Sequence, residues 1–415
     1  MIKKYLKHEM IRNTVIVLLG GVVAQGIAAV TPIYLTQFFS PSDFGILAIV
    51  TAFVSVIGSF SNLDFIATIN IADTEEESYQ LLKIAQKIGM ITVILTTVVI
   101  LVFNFIPYES KIKSLGLEIS LLIPFWVLFY NYFYTSRECL ARTGQFKSLS
   151  FYNALKALLV SAMQILSGIF FPKVLLLLLS KSIGEMVVAI LSFRKVKQHR
   201  KTQDTGVEDL RPVFKKYLAI TKYTLPTRIL DVISKNAIIF ALTYFYSLTV
   251  VGLYSIAMKL VQLPVTMITE NIQKVFEQRS HKYLENNHDL LIYSYRTAIL
   301  LTAIATPGFL ILFFYSEELL SLALNPQWVA AHIYLKWLSP LILFQFLLLP
   351  FNSLYRLKRK VSTYFKIESV ESFIKYAAII FCGLRAEELI MIKAYVAVFA
   401  LFSLFKISYI ALELR

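Results

Sequence analysis

KYTLPTRILDVISKNAIIFALTYFYS (222–247) and LTVVGLYSIAMKLVQLPVTMITENIQKVFEQRSHK (248–282) decide how the chain is read. Two apolar spans follow one another with only a short turn near Ser247–Thr249 between them. Each reaches the roughly 20 residues that carry a helix across a bilayer. Both keep basic groups well inside the apolar run: Arg228 and Lys235 in the first, Lys259 in the second. A charge in hydrocarbon costs at least about 2.5–3.5 kcal/mol. A chain that keeps several must shelter them in a protein-lined cavity, and this makes the stretch the candidate site.

The bulk numbers agree with a membrane solvent. Of 415 residues, 57% are hydrophobic, and the mean hydropathy is +0.66. Soluble domains are about 45–50% apolar even when glycine is counted, so this is an all-α polytopic membrane protein. A net charge of +15 would suggest nucleic acid in a soluble protein. Here it reads as lysine and arginine gathered in the loops of one side, and no basic-aromatic nucleic-acid module accompanies it. The two cysteines, Cys139 and Cys382, form no disulfide framework or zinc motif. The five histidines are scattered, so neither a metal nor a cofactor is expected. HExxH, GxSxG and GK[ST] signatures are absent, and no enzymatic constellation is expected.

Residues 14–30, TVIVLLGGVVAQGIAAV, follow the basic start MIKKYLKHEMIRN. The run is longer than a signal-peptide core of about 7–15 residues, so it reads as a first transmembrane helix with its amino end inside. Twelve spans are expected: 14–36, 44–68, 86–106, 115–135, 149–171, 174–195, 222–246, 249–271, 293–315, 330–354, 362–383 and 388–410. Basic residues then fall almost entirely on one side, which puts both termini in the cytoplasm. The outer segments keep only Lys111, Lys113, Lys173 and Arg385. The longest inner link, Arg194 to Lys216 around Gly206, divides residues 1–205 from 206–415. Its end, EDLRPVFKKYL (208–218), reads equally as a surface helix or as a solvated linker.

An internal repeat supports the division. FSPSDFGILAIV (39–50) and YSLTVVGLYSIA (246–257) share an aromatic-Ser start and a glycine, Gly45 or Gly252, that opens a helix. The connections RECLARTGQFK (137–147) and YRLKRKVSTYFK (355–366) are both basic. Six spans per half give the halves one orientation, related by an axis along the membrane normal.

Arg228, Asp231 and Lys235 are spaced i, i+3, i+7 and share a helix face. Counted at 1.5 Å per residue, Lys235 and Lys259 lie at similar depths, about 20 and 15 Å in. Pro226 and Pro264 interrupt the same two helices. The plainer reading is that Asp231 only neutralises its neighbours. Lys181 and Glu185 (i, i+4) and Glu368, Glu371 and Lys375 look self-compensated, although a buried carboxylate such as Glu185, Asp231 or Glu371 can also carry a coupled proton. Lys156 either lines the cavity or snorkels. Gln25 and Asp64 suggest that the first two helices face something wet.

The run GLYSIAMKLVQLPVTMITENIQKVFEQRSHK (252–282), with Gly252, Tyr254, Ser255, Lys259, Leu263 and Pro264, resembles the eighth-helix pattern of Wzx-type polysaccharide and O-antigen flippases. These belong to the multidrug/oligosaccharidyl-lipid/polysaccharide (MOP) exporter superfamily. SPSDFGILAIVTAFV (40–54), NLDFIATINIADTEEES (62–78), ARTGQFKSLSFYNALKALL (141–159), KYTLP (222–226) and NPQWVAAHIYLKWLSP (325–340) extend the resemblance over nearly the whole chain. Lysine stands at 259 where relatives often carry arginine, and Asp64 follows Asn62 and Leu63 where they often carry a basic residue.

The resemblance implies two six-helix lobes in a V, with helices one, two, seven and eight lining a central cavity. It implies a substrate, an undecaprenyl-diphosphate-linked oligosaccharide, turned from the inner to the outer leaflet of a bacterial plasma membrane. Arg228, Lys235 and Lys259 would hold the diphosphate, and Lys156 would join the substrate site where it lines the cavity. Gln25, Asn236, Tyr244 and Tyr254 would meet sugars. A proton or sodium ion would be the coupling ion, and a polysaccharide polymerase a partner. The rival readings are an ion-coupled drug or cation exporter, a lipid II flippase and a membrane enzyme acting on the same lipid carrier. The exporter should carry a surplus of carboxylates, the lipid II flippase about fourteen helices and the enzyme a large outer loop.

Overall fold

The computed structural model describes residues 21, 24–28, 30–106, 115–200, 209–385 and 387–414. Among these, all regular structure is helical. The first half holds α1 (Ala24–Leu35), α2 (Pro41–Phe60), α3 (Phe65–Ile69), α4 (Glu75–Phe105), α5 (Leu117–Arg142), α6 (Phe146–Phe170) and α7 (Val174–Arg200). The second holds α8 (Arg211–Phe245), α9 (Leu248–Ser280), α10 (Asn287–Phe314), α11 (Ser316–Ala323), α12 (Ala331–Leu338), α13 (Pro340–Leu357), α14 (Val361–Arg385) and α15 (Glu388–Glu413). Nine spans in the described residues are long and apolar enough to cross a membrane, α12 and α13 counting as one. The other three expected spans are α1, which is shorter, and α8 and α14, which carry more charge. The beginning of the first span, the outer lysines 111 and 113 and the linker around Gly206 lie outside the described residues.

Three local readings need correction. The expected second span, 44–68, is broken. α2 stops at Phe60, Ser61–Asp64 form a turn, and α3 starts at Phe65. Leu63 and Asp64 take left-handed backbone angles (φ 49° and 61°), a conformation that costs an L-residue about 1–2 kcal/mol. The segment before Lys222 is neither a separate surface helix nor a linker, since α8 runs unbroken from Arg211 through Pro226. The loop expected at 316–329 contains α11 and a 3-10 turn, Pro326–Trp328.

The chain packs as two compact units, 1–39 with 46–236 and 40–45 with 237–415, so the division falls inside α8. The first unit has a core of α3, α4, α5, α7 and the start of α8, with Phe65, Tyr79, Leu140 and Tyr217 buried in it. The second has one of α10, α13, α14 and α15 around Phe351, Tyr355 and Ile410. α4 instead exposes Ile94, Leu95, Val98, Val99 and Val102, a side suited to lipid tails rather than water.

The repeat has a structural meaning in the second unit. Ser40 caps α2: its hydroxyl accepts the Asp43 N–H, and the Asp43 carboxylate accepts the Ser40 N–H at 2.9 Å. This is a capping box with proline at the first helical position. Ser247 caps α9 by accepting the Val250 N–H. A Cβ on Gly45 would collide with the carbonyl of Leu248, and a Cβ on Gly252 with the carbonyl of Pro41. In the repeat, Gly45 aligns with Gly252 and Pro41 with Leu248. The two contacts are therefore one contact made reciprocally, and only glycine permits such close backbone approach.

The basic connections repeat as well. After α5, Gly144 is left-handed (φ 69°), and Gln145 N–H returns to the Leu140 carbonyl. After α13, Arg359 is left-handed (φ 57°), and Lys360 N–H returns to the Tyr355 carbonyl. Both are Schellman turns. Arg142 and Lys358 then each donate to a carbonyl just ahead of another helix, Ala72 before α4 and Leu284 before α10.

Candidate functional site

α2 carries Thr51, Ser55 and Gly58 at i, i+4, i+7, which puts them on one face. Small and hydroxylated residues at this spacing let other helices approach within a membrane. In the first unit each meets a polar or aromatic side chain of another helix. Lys181 Nζ of α7 donates to Thr51 Oγ1 at 3.3 Å. Asn236 of α8 donates to Ser55 Oγ at 3.2 Å. The Tyr130 ring of α5 lies where a Cβ on Gly58 would sit. Beyond the helix break, Asp64, 3% exposed, faces Arg228 Nε at 3.7 Å. The strained turn thus delivers a buried carboxylate to a half-exposed guanidinium.

Lys235 pairs with Asp231 at 2.8 Å across one helical turn, and both are largely exposed. Arg228 turns to Asp64 instead of Asp231. An exposed pair such as Lys235–Asp231 is worth at most about 1 kcal/mol, so it leaves Lys235 available to a ligand. Outside the membrane part, Lys216 anchors the start of α8 to Asp73 at 2.7 Å and to Glu77 at 2.6 Å. Those two hydrogen bonds hold its ammonium above the ordinary lysine range.

Deeper in the same unit, Glu185 of α7 is 7% exposed and receives two partners. Lys156 of α6 meets one oxygen at 3.2 Å, and the Trp126 indole N–H donates to the other at 2.8 Å. Lys156 also lies over the rings of Phe133 and Tyr134, 4.6 and 5.2 Å from their centroids. It therefore faces inward rather than snorkelling. The expected Lys181–Glu185 pair along α7 is not made.

Lys259 and Glu371 belong to the second unit. Lys259 is exposed, 5.5 Å from the ring centre of Phe44. Phe44 packs edge-on against Trp328. Glu371 is shut away. It pairs with Lys375 of its own helix, and with Lys406 of α15 at 2.6 Å; Lys406 also meets Glu368 at 2.5 Å. The Glu371 oxygens are held by charge contact rather than by aligned hydrogen bonds. Gln25 is partly buried on α1. Tyr244 is exposed, whereas Tyr254, 2% exposed, offers no surface to a sugar.

Thr51, Ser55, Trp126, Tyr130, Tyr134 and Lys406 were not singled out by sequence. The polar spacing along α2 was the available signal for the first two. No group of metal-ligating residues forms among the described residues.

The polysaccharide biosynthesis protein family matches residues 34–333. No curated protein matches the sequence. Among solved structures, the chain is similar to a lipid II flippase, MurJ, in an inward closed conformation. The TM-score is 0.76 at 12% identity, over 95% of this chain and 87% of that one. It is also similar to an inward-facing multidrug resistance MATE family transporter, with TM-score 0.61 at 12% identity over 97% and 94%. A MOP superfamily transporter from Pyrococcus furiosus gives 0.63 at 11% identity over 97% and 95%. The fold is therefore the MATE/MurJ-like transporter fold of a multi-pass membrane protein.

Proposed function

This chain belongs to the polysaccharide biosynthesis protein family, and from that premise we propose that it is a flippase for a lipid-linked oligosaccharide. The substrate is an undecaprenyl-diphosphate-linked repeat unit, moved from the inner to the outer leaflet of a bacterial plasma membrane for a surface polysaccharide such as O-antigen, capsule or exopolysaccharide. Both termini are cytoplasmic, and two six-helix lobes, 1–205 and 206–415, alternate access. The observation that carries the reading is the charged face of α8. Arg228 and Lys235 stay substantially exposed on a helix of membrane-spanning length, each paired with a carboxylate among the described residues. A diphosphate leaving water needs cationic partners.

In this proposal Arg228, Lys235 and Lys259 receive the diphosphate, Lys156 lines the substrate cavity, and Gln25 and Asn236 contact sugar. A coupled proton or sodium ion acts through Glu185, Asp231 or Glu371. Likeness to a MATE transporter supports a second reading, an ion-coupled exporter of drugs or cations. The surplus of basic groups along the first unit's polar strip favours the anionic substrate.

The test is translocation of undecaprenyl-diphosphate oligosaccharide in liposomes, followed by an impermeant hydrolase. Wild type should expose the lipid quickly, and the Lys235→Ala/Lys259→Ala double variant at least about tenfold more slowly, a loss of about 1.4 kcal/mol. Equal rates would move the site elsewhere. No translocation by folded wild type would favour the exporter.

A further inference from the structure

We infer that Lys181, with Thr51 and Trp126, forms a second anion site, separate from the α8 face, that takes a phosphate or carboxylate oxygen. An ammonium has three donors. Lys181 places one on Thr51, at a long 3.3 Å. The Thr51 hydroxyl proton is already given to the Leu47 carbonyl at 2.6 Å, so Thr51 can only accept. The carboxylate that a helix would offer Lys181 is Glu185, one turn along, but its oxygens are turned to Lys156 and Trp126, and it makes no ion pair with Lys181. Among the described residues Lys181 has no ion pair. The Trp126 ring lies 5.0 Å from Nζ to centroid.

Two ammonium groups thus share one carboxylate inside the membrane part of the first unit. An excess charge there is costly, and an oxyanion would remove it. The plainer account is a snorkelling lysine. Lys181 lies one to two turns from the start of α7, and snorkelling would carry its ammonium back to that end. Instead Nζ sits against Thr51, about three turns into α2, and against Trp126, between two and three turns into α5. Lys181 is partly exposed. The site stands on this geometry alone; its use in transport rests on the flippase reading. The oxyanion is then either the carrier's diphosphate or the carboxylate of an acidic sugar.

The protein has three tryptophans, so 5-fluorotryptophan labelling gives three 19F resonances, assigned by single Trp→Phe variants. Sodium pyrophosphate or sodium glucuronate at constant ionic strength should shift the Trp126 resonance saturably, in about the millimolar range. A response to pyrophosphate alone assigns the phosphate source, and one to glucuronate the sugar source. Lys181→Met should weaken the response at least about tenfold, while Lys181→Arg and Lys235→Ala keep it. The Arg variant guards against a mere folding defect. No shift in wild type, an equal shift with sodium chloride, or the same titration in Lys181→Met would each overturn the site. Wild type that shifts but does not flip lipid keeps the site and loses the flippase; the converse result does the opposite.

Discussion

The two units bury charge at matching places and settle it differently. The Schellman turns align Gly144 with Arg359, and this register puts Lys156 of α6 opposite Glu371 of α14 in the repeat. A base in one unit stands where an acid stands in the other. Lys156 finds its acid on the next helix, Glu185, and Glu371 finds its base on the next helix, Lys406. The polarity of the interhelical pair is reversed and the pair is kept. The second cluster then closes on itself: two acids, Glu368 and Glu371, and two bases, Lys375 and Lys406, with Lys406 only 2% exposed. The first has two bases and one acid. A neutral cluster built on the buried Glu371–Lys406 pair holds helices together, whereas an odd, partly exposed cation can answer a ligand.

The sharpest way to break this comparison is to remove one lysine from each cluster. Lys406→Met leaves Glu371 buried with a single partner. Breaking a buried pair costs about 3–5 kcal/mol, so the purified protein should melt well below wild type. Lys181→Met removes the odd charge and should melt at or above wild type. Equal destabilisation would mean that the first cluster is as structural as the second.

The next test acts on the shared pair. Glu185→Gln leaves Lys156 without an acid and should cost about 2 kcal/mol, less than a sealed pair because Lys156 is a fifth exposed. The double variant Lys156→Met/Glu185→Gln should recover all but about 1 kcal/mol, since no unpaired charge remains at the pair. A double variant no better than the single would deny the coupling between α6 and α7.

The clusters also show where sequence reading stops. Spans and basic loops were legible because length and loop charge are local properties of the chain. The repeat glycines were legible as a pattern, although their reciprocal contact was not. Lys181 and Glu185 looked paired because i, i+4 spacing is visible in sequence, while the competing partner, Lys156, comes from another helix. Lys406 sits alone in an apolar run that reads as a plain span, so only packing shows that it neutralises two glutamates. The break at Ser61–Asp64 was hidden because its turn formers, Ser61, Asn62 and Asp64, sit in an apolar run without glycine or proline, and Leu63 is a residue that rarely turns left-handed.

The smallest expected effect compares the two turns that set the register. Gly144 and Arg359 hold the same left-handed position, and the same pair of returning N–H bonds closes each turn. Glycine adopts that backbone without steric cost, whereas an arginine Cβ crowds the following carbonyl. Arg359 is exposed and makes none of the ion pairs found among the described residues, so its side chain gives little in return. Arg359→Gly should therefore raise stability by about 1 kcal/mol, and Gly144→Ala should lower it by a similar amount, both read as melting shifts in detergent. The unfolded chain works against the first change, because a new glycine adds backbone freedom that folding must remove. A neutral Arg359→Gly beside a destabilising Gly144→Ala would mean that the two terms cancel at 359. A destabilising Arg359→Gly would mean that the arginine holds the α13–α14 connection through its side chain, and the two turns would then be alike in backbone but not in what maintains them.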